Sequence, residues 1–134
     1  MAQENTEYYF TKKIQGSYEQ VFQQLEASVK ANGFGIIDQM DMQAKLKEKL
    51  GSEVIDTYMI LGVCNPNLAF KAIQAEPNIG VFLPCKIVIR RINTHEFEVA
   101  AINPALMMGA LNNEKLNPVA NEVAQSLKAI IENL

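Results

Sequence analysis

Apolar residues recur along the N-terminal third of the chain with two different periods, which predict a strand, a helix and a second strand. Residues 7–14 are rich in aromatic and β-branched side chains, as is typical of a strand. Ser17 is a suitable N-cap, and behind it apolar residues recur at helical spacing as far as the Asn32-Gly33 stop. Residues 34–40 then predict a short second strand.

The middle of the chain predicts a small helix followed by a buried strand. Residues 41–51 carry an apolar stripe between lysines, with a capping aspartate before it and a glycine after it. Residues 54–63 are mostly apolar, as in a strand covered on both faces, and they run into the first cysteine. Asp56 interrupts this run and, if buried, would need a basic partner such as Lys86 or Arg90 from a neighbouring strand.

A helix start and an apolar segment separate the two cysteines. Asn65 as N-cap, with Pro66 at the first helical position, favours a helix that begins immediately after the first cysteine. Residues 79–83 are apolar and predict an extended segment, which leads into Pro84-Cys85.

The C-terminal third predicts a β-hairpin and a long helix. Residues 86–92 and 96–102 flank a short polar turn, and the second arm alternates glutamates with apolar residues. Asn103-Pro104 ends that arm, and a short helical turn or apolar loop follows. Apolar residues then recur at helical spacing over residues 116–134, which predicts an amphipathic helix.

These elements predict an α+β fold with a mostly antiparallel sheet covered on one side. A chain of 134 residues fits one domain, which would span residues 1–134. The sequence contains neither glycine-rich phosphate-binding motif, so a doubly wound nucleotide-binding fold is not expected.

Charge and hydropathy exclude two classes of partner. The net charge is −3 and the basic residues are scattered, so binding to nucleic acid is not expected. The N-terminus is polar, and no apolar run reaches the length of about 18 residues that spans a bilayer. We therefore expect a cytoplasmic protein that does not bind membranes, in which cysteines are free thiols, ligands or a transient redox pair.

Three segments, in order, resemble the motifs of the family known as domain of unknown function 302 (DUF302). Residues 62–69 (GVCNPNLA) resemble its G-x-C-N-P-x-x-A motif, and residues 76–85 (EPNIGVFLPC) resemble its E-P-x-I-G-x-x-L-P-C motif. Asn103-Pro104, followed by two methionines, is similar to its third motif, in which aspartate is more usual than asparagine at the first position.

The resemblance implies a β-α-β4-α fold similar to the TATA-binding-protein-like class, with short extra helices. In such a fold a curved, mostly antiparallel sheet carries the helices on one face, and the domain often forms a homodimer. Because the family is defined by an unknown function, the resemblance bears on the fold and leaves the function open.

The two cysteines are the most distinctive chemical feature of the chain. Cys64 precedes a predicted helix N-terminus, whose free N–H groups and dipole stabilise a thiolate. Cys85 follows 21 positions later, so the sulfurs meet if the intervening helix returns the chain to the same sheet edge. A pair of this kind could form a reversible disulfide, a metal or haem site, or a sulfur carrier. Alternatively, both cysteines are small buried hydrophobic residues.

A metal site at Cys64 and Cys85 would be incomplete within one chain. A mononuclear zinc site normally has four ligands, and the single histidine, His95, lies at the predicted hairpin turn. The remaining ligands would have to come from a partner subunit or from an exogenous molecule. The sequence indicates no particular cofactor.

The candidate site combines the polar breaks at the ends of the predicted strands with the two methionines. Its residues are Cys64, Asn65, Pro66, Pro84, Cys85, Asn103, Met107 and Met108. Both Asn-Pro pairs are also explained by helix capping, and the methionines by a core or a dimer surface. No catalytic motif is present, since H-E-x-x-H, G-x-S-x-G and C-x-x-C are all missing from the sequence.

Three functions are compatible with these observations. The first is a non-enzymatic binding or sensing module that holds a small molecule or a metal at Cys64 and Cys85. The second is a thiol enzyme for redox chemistry or sulfur transfer, with Cys64 as the nucleophile and Cys85 as the resolving thiol. The third is a structural or interaction domain whose cysteines belong to the core.

Overall fold

All neighbouring strands of the sheet run antiparallel. The computed structural model describes residues 4–5 and 7–134. Its strands are β1 (Glu4–Asn5), β2 (Tyr9–Gln15), β3 (Gly35–Asp41), β4 (Tyr58–Cys64), β5 (Cys85–Asn93) and β6 (Glu96–Ile102). Their spatial order is β1-β2-β6-β5-β4-β3. The predicted α+β fold with an antiparallel sheet is therefore confirmed.

Several helices begin at the capping residues that the sequence indicates. The helices are α1 (Tyr18–Ala31), α2 (Met42–Leu50), α3 (Pro66–Ala75), α4 (Pro104–Gly109) and α5 (Asn117–Glu132). The Ser17 hydroxyl accepts a hydrogen bond from the Gln20 amide at 3.2 Å and so caps α1. Asp41 and Asn65 cap α2 and α3 in the same way, since each side chain accepts a hydrogen bond from a backbone N–H group in the first turn.

The core lies between one face of the sheet and the two long helices. Strand β6 alternates as predicted, with Phe97 and Val99 buried and Glu98 on the opposite face. Leu25 of α1 and Leu127 of α5 pack into the same buried cluster as these strand residues. The two long helices therefore cover one face of the sheet, and Glu98 lies on the other face.

Two polar contacts fix the final helix on this core. The buried hydroxyl of Ser28 in α1 donates to the carbonyl of Ile130 in α5 at 2.7 Å. The Lys12 ammonium in β2 donates to the carbonyl of Glu132 at 3.1 Å and also to that of Leu134. A cation is favourable there, because the carbonyls at a helix C-terminus carry partial negative charge.

The apolar run over residues 54–63 forms a strand only in its second half. Strand β4 begins at Tyr58, and its pairing with β3 begins at Asp41 opposite Met59. After Asp41 the chain leaves the sheet and enters α2. Residues 54–56 therefore have no residues of β3 to pair with. Val54 is accordingly 52% exposed.

Asp56 lies in this unpaired segment and is not buried. Its Oδ1 accepts a hydrogen bond from the Thr57 amide at 2.7 Å and lies 3.3 Å from Nε of Arg91. Because Asp56 is exposed, the condition under which it would need Lys86 or Arg90 as a buried partner is not met, and its ionic partner is Arg91 instead.

The segment over residues 79–83 is a 3-10 turn, Ile79–Phe82, and not the extended segment that its apolar content predicts. Ile79 is fully buried in a second cluster with Met108 and Leu116, whereas Val81 is 80% exposed. The Leu83 amide closes the turn by donating to the Gly80 carbonyl at 3.1 Å. The apolar residues therefore serve a packed turn and do not form a strand.

Candidate functional site

The pairing of β4 with β5 brings the two cysteines to the same end of the sheet. Cys64 is the last residue of β4, Cys85 is the first residue of β5, and Val63 lies directly opposite Cys85. The connection through α3 and the 3-10 turn leaves and rejoins the sheet at this end. Both cysteines are free thiols, with Cys85 buried and Cys64 half-buried.

A cavity of about 350 Å³ lies at this end of the sheet, between the two cysteines and the helices α3 and α5. Ligand-binding pockets typically measure about 300–1,000 Å³, so this volume fits a small ligand. The lining residues are Phe34, Ile37, Val63, Cys64, Asn65, Leu68, Ala69, Ala72, Ile73, Gly80, Leu83, Pro84, Cys85, Met108, Val119 and Val123. None of these side chains is charged, and we call this space the covered cavity.

The structure brings together five of the candidate residues and separates three. Cys64, Asn65, Pro84, Cys85 and Met108 line the covered cavity. Pro66 is exposed in the first turn of α3, and Asn103 caps α4 by accepting from the Ala105 amide at 3.2 Å. Met107 lines a different cavity on the other face of the sheet, because neighbouring helical residues point about 100° apart.

Part of the wall comes from helix faces that extend beyond the motif segments. Leu68, which lies in the first motif segment, and Ala72 contribute from α3, and Val119 and Val123 contribute from α5. Their spacing of four residues predicts a buried helical face. That spacing gives no information about which other helix the face meets, so the cavity could not be found from it.

The ring of Pro84 packs directly on the backbone of Gly62. A Cβ atom at Gly62 would lie 2.6 Å from Cγ of Pro84 and 3.1 Å from Cβ of Asp38. Only a residue without a side chain allows this approach. The close contact joins the first motif segment to the second, next to the covered cavity that Pro84 helps to line.

Asn65 gives the covered cavity its side-chain amide. Its Oδ1 accepts from the Leu68 amide at 3.1 Å and caps α3. Its Nδ2 lies against Gly33, at which a Cβ would be 3.3 Å away, and has no hydrogen-bond partner in the described part of the chain. This amide can therefore donate to a bound molecule.

The Cys85 thiol is held in its neutral form. Burial raises the pKa of Cys85 from 9.0 to about 11, and the nearby Cys64 thiol adds to the increase. At neutral pH Cys85 therefore presents a weakly polar S–H group to the cavity.

Metal ligands do not gather around the cysteines. Among the described residues, no three side chains of His, Cys, Asp or Glu come close enough together to hold an ion. His95 lies at the exposed hairpin turn, where its carbonyl accepts from the Gly16 amide at 2.8 Å. None of the described helices is both long enough and apolar enough to cross a bilayer.

Comparison with known proteins agrees with the motifs and the fold. The family model "Domain of unknown function DUF302" matches residues 10–134. The chain belongs to the DUF302 family. The crystal structure of an uncharacterized conserved DUF302 protein from Bacillus stearothermophilus is similar, with a TM-score of 0.84 and 29% sequence identity over 93% of this chain and 96% of that one. No curated protein matches the sequence.

The contact between Gly62 and Pro84 predicts a strongly position-dependent effect of alanine. We expect Gly62→Ala to lower the free energy of unfolding by about 1–3 kcal/mol, because the new methyl group overlaps the Pro84 ring. Gly35→Ala is the matched control, since a Cβ there meets no atom within 4 Å. Urea denaturation measures both, and equal stabilities of the two variants would contradict the packing described.

The raised pKa of Cys85 predicts a loss of stability in alkaline solution. The unfolded chain releases the Cys85 proton near pH 9.0 and the folded protein near pH 11, so the folded state binds more protons between these values. Its stability contribution is complete below about pH 9 and falls by about 2 kcal/mol as the pH rises to 11. Urea denaturation from pH 8 to 11 should show a flatter profile for Cys85→Ala than for wild type.

Cys64→Ala is the control for that measurement. It should keep most of the alkaline loss, because burial is the larger cause of the raised pKa at Cys85. Parallel profiles for wild type and Cys85→Ala would show that Cys85 titrates normally in the folded protein.

Proposed function

We propose that this DUF302 domain is a non-enzymatic binding module whose covered cavity holds a small, mostly apolar ligand. The observation that carries the proposal is a cavity of about 350 Å³ without a charged lining side chain, placed where the first two motif segments meet. Apolar cavities with a few polar groups are the usual form of small-molecule sites.

The walls favour an apolar body with one hydrogen-bond acceptor. Val63 and Cys85 contribute from the sheet, Leu68 from α3 and Val123 from α5, so a ligand would be surrounded by hydrocarbon and sulfur. Burying apolar area there is favourable by about 25 cal/mol per Å². The Nδ2 group of Asn65 supplies a donor that can orient the ligand.

The mouth of the covered cavity is apolar as well. Ile37 of β3 and Ile73 of α3 line it and are 64% and 47% exposed, respectively. These two exposed side chains lie at the solvent-facing edge of the cavity. None of the side chains that line the cavity is charged.

The chemistry of the thiols supports binding more than catalysis. A resolving cysteine acts as a thiolate, whereas the raised pKa of about 11 keeps Cys85 protonated at neutral pH. His95 lies at the distal turn of the β5–β6 hairpin and is not among the residues that line the cavity. Redox or sulfur-transfer chemistry at Cys64 and Cys85 is therefore the alternative, and a metal site there would need ligands from elsewhere.

We expect the neutral fluorescent probe N-phenyl-1-naphthylamine to bind wild-type protein saturably, with one molecule per chain. Ala69 lines the covered cavity, and Ala69→Phe should weaken this binding by roughly tenfold or more because the ring fills the space. Ala44→Phe is the matched control, since Ala44 is exposed on α2 and lines no part of the covered cavity.

Fluorescence titration gives the dissociation constants. Equal affinity of wild type and Ala69→Phe, or the absence of binding to wild type, would count against a ligand site in the covered cavity. Native mass spectrometry of freshly purified protein would show whether a natural ligand is retained.

Alkylation kinetics separate the binding module from the thiol enzyme. The rate at which iodoacetamide modifies Cys64 is measured against pH in the Cys85→Ala variant. A reactive thiolate that is populated well below pH 7 would favour thiol catalysis, since a free cysteine ionises near pH 8.5. Slow modification of Cys64 at pH 7 and below is expected for the binding module.

A further inference from the structure

A second cavity, of about 480 Å³, lies on the face of the sheet that the long helices do not cover. Its floor is formed by apolar side chains of the central strands, namely Val88, Ala100 and Ile102. Ala100 lies directly opposite Val88 in the β5–β6 ladder. Ala100 thus contributes a small side chain to the middle of the floor, and we call this space the open-face cavity.

The charges of this face are arranged unevenly around the floor. Glu98 lies opposite both Lys13 and Arg90, and its Oε1 is 2.6 Å from Nη2 of Arg90. The carboxylate of Glu98 is therefore already paired with Arg90 at one end of the floor. Lys86 lies at the other end, opposite Gly62, and takes part in no ion pair within the described residues.

Lys86 is exposed at the rim of this cavity, and its ammonium group has no ionic partner among the described residues although the chain has a net charge of −3. Concave surfaces concentrate the field of such a charge and attract oppositely charged ligands. The open-face cavity therefore selects for an anionic group at the Lys86 end.

Aromatic side chains form the walls beside this floor. Tyr9 lies at the β2 side and Tyr58 at the β4 side, and both line the open-face cavity. Met107 adds a flexible apolar wall from α4. Aromatic rings favour offset or edge-to-face contacts with other rings, so the walls suit a planar apolar body.

We propose that the open-face cavity binds a small aromatic molecule that carries one anionic group, independently of the covered cavity. Lys86 contacts the anion, and the apolar floor at Val88 and Ala100 lies beneath the ring system. The two cavities are on opposite faces of the sheet, so the two ligands differ in charge and do not compete.

The test uses two probes that share one ring system and differ by a sulfonate group. 8-Anilinonaphthalene-1-sulfonate should bind wild-type protein, and Lys86→Gln should weaken this binding by about tenfold, as expected when a charge-assisted contact is lost. Lys128→Gln removes the same charge from the helix side of the protein and should leave the affinity unchanged. N-phenyl-1-naphthylamine, which lacks the sulfonate, should bind Lys86→Gln and wild type equally.

Two further variants localise the anionic probe. Ala100→Leu fills the floor and should weaken binding of the sulfonate, whereas Ala69→Phe fills the covered cavity and should not. The affinity for the sulfonate should also fall with added salt in wild type and fall less in Lys86→Gln. The neutral probe tests the covered cavity and the sulfonate tests the open-face cavity. The experiment can therefore disprove ligand binding at one cavity without disproving it at the other.

The proposal is overturned if Lys86→Gln and wild type bind the sulfonate equally, or if Ala69→Phe abolishes the binding. It is also overturned if a second copy of the chain covers the face. In that case sedimentation shows a dimer at the assay concentration, Ala100→Arg converts it to a monomer, and wild type does not bind the sulfonate.

Discussion

The register between β4 and β5 determines where the parts of the candidate site lie. Because Val63 is opposite Cys85, the chain must leave the sheet after Cys64 and return to it at the same end. Helix α3 and the 3-10 turn have to fit into this connection, and they fold over the end of the sheet beside α5. The covered cavity is the space that remains between them. A slip of one residue would turn every side chain of one strand to the opposite face and remove the site.

The same register assigns different chemistry to the two faces of the sheet. Cys85 and Lys86 are consecutive in β5, so their side chains point to opposite faces. Cys85 lines the covered cavity, which has no charged wall, and Lys86 lines the open-face cavity. One strand therefore separates an apolar environment from a charged one. Gly62 lies opposite Lys86, and the absence of a side chain at Gly62 leaves room for the Pro84 ring.

Local sequence signals predicted much of the fold, because they concern contacts between residues close together in the chain. The capping of α3 by Asn65 and the alternation of residues 96–102 need no knowledge of the tertiary structure. The incorrect predictions concern apolar segments whose structure depends on residues distant in the chain. Residues 54–56 lack a strand to pair with, and Ile79 is buried by a helix cluster and not by a sheet.

The sequence also predicted part of the candidate site. The motif segments located Cys64 and Cys85, and the structure brings both to one cavity. The sequence could not separate Met107 from Met108, since only the direction of α4 decides which methionine faces which side of the sheet. The sequence also could not show that α5 lines the covered cavity. The contact between α3 and α5 joins residues that are far apart in the chain, so it is known only from the folded structure.

Ligand binding and thiol chemistry in the covered cavity both depend on one physical property, the poor solvation of charge at Cys85. Burial raises the pKa of Cys85 to about 11 because the charged thiolate is poorly solvated there. The same poor solvation disfavours any charged ligand and favours an apolar one. A feature that makes the cavity suitable for apolar binding thus makes its buried thiol unsuitable for nucleophilic chemistry. For Cys85 to react, a ligand or a partner would first have to bring compensating positive charge into the cavity. In the described structure no side chain lining the cavity can supply that charge.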